Sequence, residues 1–365
     1  MTEDPRRRDV WRHGMRRAVV SLGTLVPAKE PRWPIALQAA IVLTVPILVG
    51  IAVGRIDLGL IAATGAFTVP YFAALPRLER LRLRPIAGLV LVLTSALGAL
   101  LAPYTWLSAL GLVTVTILIG IAVHGYRLGP PGPLFPILVY GMSGHAVNGG
   151  VPPLVLVGTV AAGCAWAVVA SIAPLVRRVH WQVSPRPLRV LLAPPEWDRG
   201  ARELVMRTAI VAIAGTALSL LYVDPDRAYW TVAAGVVVVG VVPGRGPAVT
   251  RGLHRAVGTV VGVGVYVAIA YSGMPPLALA LTLGALQYVT ELSITRHYAI
   301  AVAAVTPMAL VIVTASAGEL GDLSVTGERI LDTALGAGLA VATALLHPPA
   351  PPDPAGRHAP PKGLD

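Results

Sequence analysis

The sequence predicts an all-α polytopic membrane protein of about twelve transmembrane helices in two parallel six-helix repeats. Three observations carry the prediction: long apolar stretches, their spacing, and the placement of arginine. Pro34–Val53 and Val155–Val176 hold no ionisable side chain except the thiol of Cys164. At about 1.5 Å per residue, roughly 20 such residues cross a ~30 Å hydrocarbon layer as a helix. The chain is 55% hydrophobic and 13% charged, with a mean hydropathy of +0.72, where soluble domains are about 25% charged.

Apolar windows and their breakers place one set of spans at 34–54, 57–75, 85–102, 105–123, 133–148 and 152–176. A second set falls at 203–222, 228–243, 254–272, 275–294, 297–315 and 325–346. The expected domains follow. Residues 1–33 form a basic N-terminal segment, 34–176 the first repeat and 177–202 a basic linker. Residues 203–346 form the second repeat, and 347–365 a Pro-rich tail expected to be disordered. The arginines before Ala18–Val26 mimic a twin-arginine signal, but no small-residue cleavage site follows, so a cytoplasmic lead-in helix is expected.

With twelve spans both termini share a side, and 26 of the 29 Lys and Arg fall there. Arg55, Arg227 and Arg329 are the three opposite. The positive-inside rule then puts both termini in the cytoplasm of a bacterial plasma membrane. The net charge of +11 lies between spans rather than on one soluble face, which excludes a nucleic-acid partner. A lone mid-span cysteine excludes an internal disulfide and a cysteine-based metal site.

Duplication is read from an offset of 171 residues, which superposes Arg80 on Arg251, Arg84 on Arg255 and Pro136 on Pro307. Sets with an even number of spans share an orientation, related by an axis along the membrane normal.

Four short patterns in the second half carry a resemblance. They are Arg207-Thr208-Ala209, Tyr229-Trp230-Thr231, Arg255-Ala256-Val257-Gly258-Thr259-Val260-Val261-Gly262 and Arg329-Ile330-Leu331-Asp332-Thr333-Ala334-Leu335-Gly336. In this order and spacing the half resembles the fusaric-acid-resistance, or aromatic acid exporter, family of membrane transporters (the FUSC domain). The first half matches more faintly, through Leu58–Phe67 and Arg80, Arg84 and Gly88, and departs at Gln38. Many members carry a sizeable cytoplasmic domain, whereas this chain has only the linker. The resemblance implies export of organic, including aromatic, carboxylates driven by the proton gradient. The expected partners are membrane lipids and a small organic anion; a homo-oligomer is compatible with the sequence, which does not set the oligomeric state.

Several residues have two readings. Gly258 and Gly262 form a GxxxG step that suits close helix packing rather than ligand contact. Arg80, Arg84, Arg251 and Arg255 either form a basic funnel for organic anions or anchor on lipid phosphates, and Arg207 is expected with Arg255 beside the pathway. Glu291 shares a helical face with Gln287 and is either a proton carrier or the partner of Arg207, Arg255 or Arg296. Asp332 either pairs with Arg329, three residues before it, or is an outward proton or substrate group. His145 is interfacial or lines the pathway, as Trp230 does in the pathway reading. Pro136 and Pro307 free carbonyls within spans, for a kink or for a cavity.

No histidines stand at metal-ligand spacing. Gly244-Arg245-Gly246 and Gly262-Val263-Gly264 lack the GK[ST] ending and the strand–turn–helix setting of a phosphate loop. Neither a cofactor nor an enzyme activity is expected. The rival readings are a passive organic-anion channel of the same fold and a non-transporting membrane scaffold.

Overall fold

A computed structural model of the chain describes residues 15–27, 31–172, 185–195, 197–316 and 318–345. The Pro-rich tail, residues 1–14 and linker residues 177–184 lie outside these residues. Helix formation follows from composition, because a backbone in lipid must satisfy its own hydrogen bonds. Among the described residues, twelve helices of eight or more residues form two sets. The first comprises α1 (Trp33–Ala52), α2 (Ile56–Ala63), α3 (Arg77–Leu101), α4 (Thr105–Gly125), α5 (Leu134–Asn148) and α6 (Pro153–Ala170). The second comprises α7 (Arg199–Tyr222), α8 (Ala228–Val239), α9 (Arg245–Tyr271), α10 (Pro276–Ser293), α11 (Tyr298–Ser316) and α12 (Ser324–Leu345).

Local chemistry fixes the ends. Asp198 caps α7 by accepting the Ala201 N–H at 2.6 Å. Pro153 and Pro276 open α6 and α10, where a missing N–H costs no helix bond. In the loop before α12, Asp322 accepts the N–H and hydroxyl of Ser324, which hold its carboxyl below the usual carboxylate range. Helix α8 stops at Gly240, whose φ of +71° suits glycine and whose missing Cβ gives room to the Arg251 side chain.

The twelve expected spans differ in length. Among the described residues, seven helices (α1, α3, α4, α6, α7, α9 and α11) are by themselves long and apolar enough to cross a membrane. Helix α2 has 8 residues and tightens into a 3-10 turn at Thr64–Thr68, well short of the expected span 57–75. There the Thr64 and Thr68 hydroxyls donate to the carbonyls of Ile61 and Gly65. Helices α5 and α8 have 15 and 12 residues. These short helices are covered almost all round by protein, so they need not match the bilayer. Helices α3 and α9 instead begin eight and nine residues before their expected starts at 85 and 254. Their first turns are arginine-rich, and hydropathy alone discounts them.

The packing repeats with twofold logic. Helix α3 packs on α5 and α6, as α9 packs on α11 and α12. The pairs α1–α2 and α2–α6 recur as α7–α8 and α8–α12. Across the halves, α4 packs on α7 while α10 packs on α1, and α5 packs on α8 while α11 packs on α2. Glycines mark equivalent crossings. Gly120 of α4 meets Thr208 of α7, and Gly284 of α10 meets Thr44 of α1. Gly65 meets Gly163 near Ala62, and Gly235 meets Gly336. Only residues without a Cβ let these backbones touch.

The repeat has no constant register. Thr44 and Thr208 lie 164 residues apart, Gly65 and Gly235 lie 170 apart, and Gly163 and Gly336 lie 173 apart. The pairing of Pro136 with Pro307 is a casualty. Pro136 stands in the first turn of α5, where it frees no carbonyl, whereas Pro307 lies inside α11.

Basic helix ends gather on one face. Gln38 of α1 donates to the last carbonyl of α6, Ala170 O. Arg127 after α4 pairs with Asp198 before α7, and Arg245 of α9 donates to Leu345 O at the end of α12. Arg32 before α1 reaches Glu291 near the end of α10 and lies within electrostatic range of Arg80. Arg84 and Arg255 therefore share a side.

Candidate functional site

The chemistry concentrates between α8, α9 and α12. Arg255 of α9 and Arg329 of α12 are each 2% exposed. Arg255 Nε and Arg329 Nε and Nη1 have no hydrogen-bond partner, and among the described residues neither guanidinium has a carboxylate at ion-pair distance. The two feel each other's like charge. Arg329 lies over the Trp230 ring, 3.9 Å from its centroid, and Trp230 is 2% exposed. One turn beyond each arginine stands a buried threonine, Thr259 and Thr333, whose hydroxyls also lack a partner. Helical spacing of four places each Arg–Thr pair on one face.

The outer edge is ionic. Asp332, fully buried, accepts from Thr231 Oγ1 at 3.0 Å and from Arg227 Nη2 at 3.3 Å. Arg227 also pairs with Glu328. Asp332 thus takes Arg227 across the helix interface and not Arg329 on its own helix, which corrects the expected 329–332 pair. The reason is direction: Arg329 is turned onto Trp230.

The other singled-out residues lie elsewhere. Glu291 takes Arg32, through Nη2 to its carboxylate at 3.4 Å and Nε to its backbone carbonyl at 3.1 Å, and not Arg207, Arg255 or Arg296. Gln287 donates to Glu291 at 3.4 Å. Arg207, fully buried, donates to Thr343 Oγ1 at 3.3 Å and Ala340 O at 3.2 Å. Arg84 donates to Ser171 Oγ and to Val69 O. At 1% and 2% exposure, Arg84 and Arg255 are too deeply covered to anchor on lipid phosphates. His145 lines a cavity of about 80 Å³ with Ser143, Thr64 and Ser316, where the two halves meet. Gly258 and Gly262 lie against Val302, Thr306 and Pro307 where α9 crosses α11.

The structure therefore joins Trp230, Arg255, Arg329 and Asp332, and leaves Glu291, Gln287, Arg207, Arg84, His145, Pro136 and Pro307 outside the cluster. Sequence reasoning overlooked Arg32, Arg227, Thr259 and Thr333. The twice-repeated Arg-x-x-x-Thr spacing was the available signal.

Residues 208–343 match the family model described as fusaric acid resistance protein-like. A search of curated proteins and of solved structures returned no match. The matched residues run from α7 to α12 and contain the whole Trp230–Arg255–Arg329–Asp332 cluster. The chain is thus a multi-pass membrane protein whose second six-helix set is similar to the fusaric acid resistance protein-like family.

Proposed function

We propose that the protein is a secondary transporter that exports organic carboxylates, aromatic ones included, across the bacterial plasma membrane with both termini in the cytoplasm. The observation that carries this reading is the pair Arg255 and Arg329, both buried and, among the described residues, both without a carboxylate at ion-pair distance. A guanidinium inside a membrane span costs at least ~2.5 kcal/mol at mid-depth and is normally paired. The indole face returns only ~0.5–2 kcal/mol. A carboxylate ligand completes the balance, because guanidinium forks match its two oxygens and the two threonine hydroxyls can add donors. Trp230 offers the apolar wall that an aromatic ring requires.

Coupling to the proton gradient is assigned to an acid that can sense the bound anion. Asp332 fits best, since it bonds Thr231 beside Trp230 and shares α12 with Arg329. Glu291 is the second candidate, held by Arg32 at the basic face.

Everted membrane vesicles test the reading with labelled benzoate-type acids. Uptake driven by an inward-acid pH gradient, and abolished by its collapse, is expected. Gradient-independent equilibration would mark a passive channel, and no uptake of any acid would mark a scaffold; either overturns the proposal.

A further inference from the structure

Residues 15–27 belong to neither six-helix set. Met15–Ser21 forms a short helix, and the segment then lies against the basic ends of α9 and α11. Two histidines hold it there. His254 of α9 and His297, just before α11, lie ring against ring, tilted by 31° with centroids 5.0 Å apart, and both are buried.

The bonds fix the tautomers. His254 Nδ1 accepts the Ala299 N–H at 3.2 Å, and His297 Nδ1 accepts the Ile300 N–H at 3.3 Å. A nitrogen that accepts from a backbone N–H carries no proton, so both rings are neutral with their hydrogen on Nε2. Those two Nε2–H groups point at the segment. His297 donates to Leu22 O at 2.9 Å, a group that only accepts. His254 donates to Ser21 Oγ at 2.8 Å, whose own hydroxyl donates to Ala18 O at 2.6 Å. Mutual bonds between Val26 and Arg296 continue the seam, N–H to carbonyl at 3.0 Å and guanidinium Nε to carbonyl at 3.3 Å.

We infer that His254 and His297 form a proton-operated clamp that docks residues 15–27 on α9 and α11 while neutral and releases them on acidification. A proton can enter only at Nδ1. It turns an acceptor into a donor facing a backbone N–H, so the Ala299 or Ile300 bond is lost. A second proton meets the first charge across 5.0 Å.

Among the described residues the surroundings are basic or neutral. Arg251 and Arg255 flank His254 on α9, Arg296 precedes His297, Tyr298 follows it on α11, and the segment brings Arg16 and Arg17. The acid nearest in sequence on α10, Glu291, is engaged by Arg32. Among the described residues no carboxylate pairs with either histidine. The sign follows: docking holds above the histidine titration and fails below it. Because His254 precedes Arg255, the clamp ties down the end of the helix that bears a cluster arginine.

Hydrogen exchange on the full chain in nanodiscs tests the clamp without reference to transport. It is read in residues 15–27 at about pH 8 and about pH 5, the range over which histidine side chains change charge. Beyond the intrinsic rate change, protection should fall on the order of tenfold at the acid pH, while that of α8 holds. Its midpoint should coincide with the Nδ1 titration seen by NMR of ¹⁵N-histidine-labelled protein. In the double variant His254→Gln/His297→Gln, whose amides keep an N–H donor but do not titrate, the pH response should vanish. Flat protection in the natural protein, a midpoint apart from the histidine titration, or a response surviving in the double variant would each overturn the clamp.

Discussion

The guanidinium of Arg329 lies 3.9 Å from the centre of the Trp230 ring, while the carboxylate of Asp332, three residues away on the same helix, bonds Arg227 and Thr231 instead. A buried cation thus faces an aromatic surface with an acid close by that does not neutralise it. In a lipid-embedded interior this arrangement is costly for stability and suited to binding an anion.

That cost gives the first prediction. Replacing an unpaired buried charge by an apolar side chain of similar volume is often neutral or stabilising. Arg329→Met should therefore keep or raise the thermal midpoint of the purified protein while transport falls by about tenfold or more, the scale of one lost charge-assisted contact. A variant that unfolds and one that only stops transporting are separated by the melting curve.

Asp332 should behave in the opposite way. Asp332→Ala leaves Arg227 and Thr231 without their buried acceptor, a loss of about 3 kcal/mol for breaking a buried pair. Arg55→Ala removes an exposed pair with Asp57 on the same face and should change stability much less. Equal effects in denaturant titrations would contradict the burial argument.

The glycine crossings make a paired prediction. A methyl at Gly163 meets the carbonyl of Ala62, and one at Gly336 meets that of Thr231. Gly163→Ala and Gly336→Ala should each cost ~1–3 kcal/mol through overpacking. Gly158→Ala and Gly338→Ala, in the same helices but facing open space, should be neutral or stabilise by up to ~1 kcal/mol. A cost in only one half would break the equivalence of the repeats.

Orientation is tested by single cysteines in a Cys164→Ala background. Arg189→Cys in the linker should resist an impermeant thiol reagent in intact cells, and Leu320→Cys between α11 and α12 should react. Arg189 is preferred to Arg186, whose side chain and backbone N–H bind the buried carboxylate of Glu79. Labelling at 189 from outside would reverse the topology.

Much of the fold was legible because the bilayer imposes it. The apolar runs gave helices in two sets of six, and the even number in each set gave their common orientation. What hydropathy misjudged was length. Helices α2 and α8 are apolar yet short, since protein rather than lipid surrounds them. The arginine-rich turns of α3 and α9 are helical yet polar. Register across the repeat was misjudged for another reason: a match of Pro136 with Pro307 needs no structural equivalence in a chain with 33 prolines. Within the site, Arg255 and Trp230 stood out as single residues, but partnership did not. Whether Asp332 takes Arg329 or Arg227 depends on how α8 meets α12, a long-range fact that helical spacing alone cannot supply.

Purified protein in proteoliposomes, with labelled benzoate and an imposed pH gradient, tests the central claim most directly. Gradient-driven movement of benzoate is expected in the natural protein and in Arg55→Gln, and should be lost in Arg255→Gln and in Arg329→Gln protein that melts normally. Undiminished benzoate movement in folded Arg255→Gln and Arg329→Gln would contradict the assignment of these arginines as the carboxylate site.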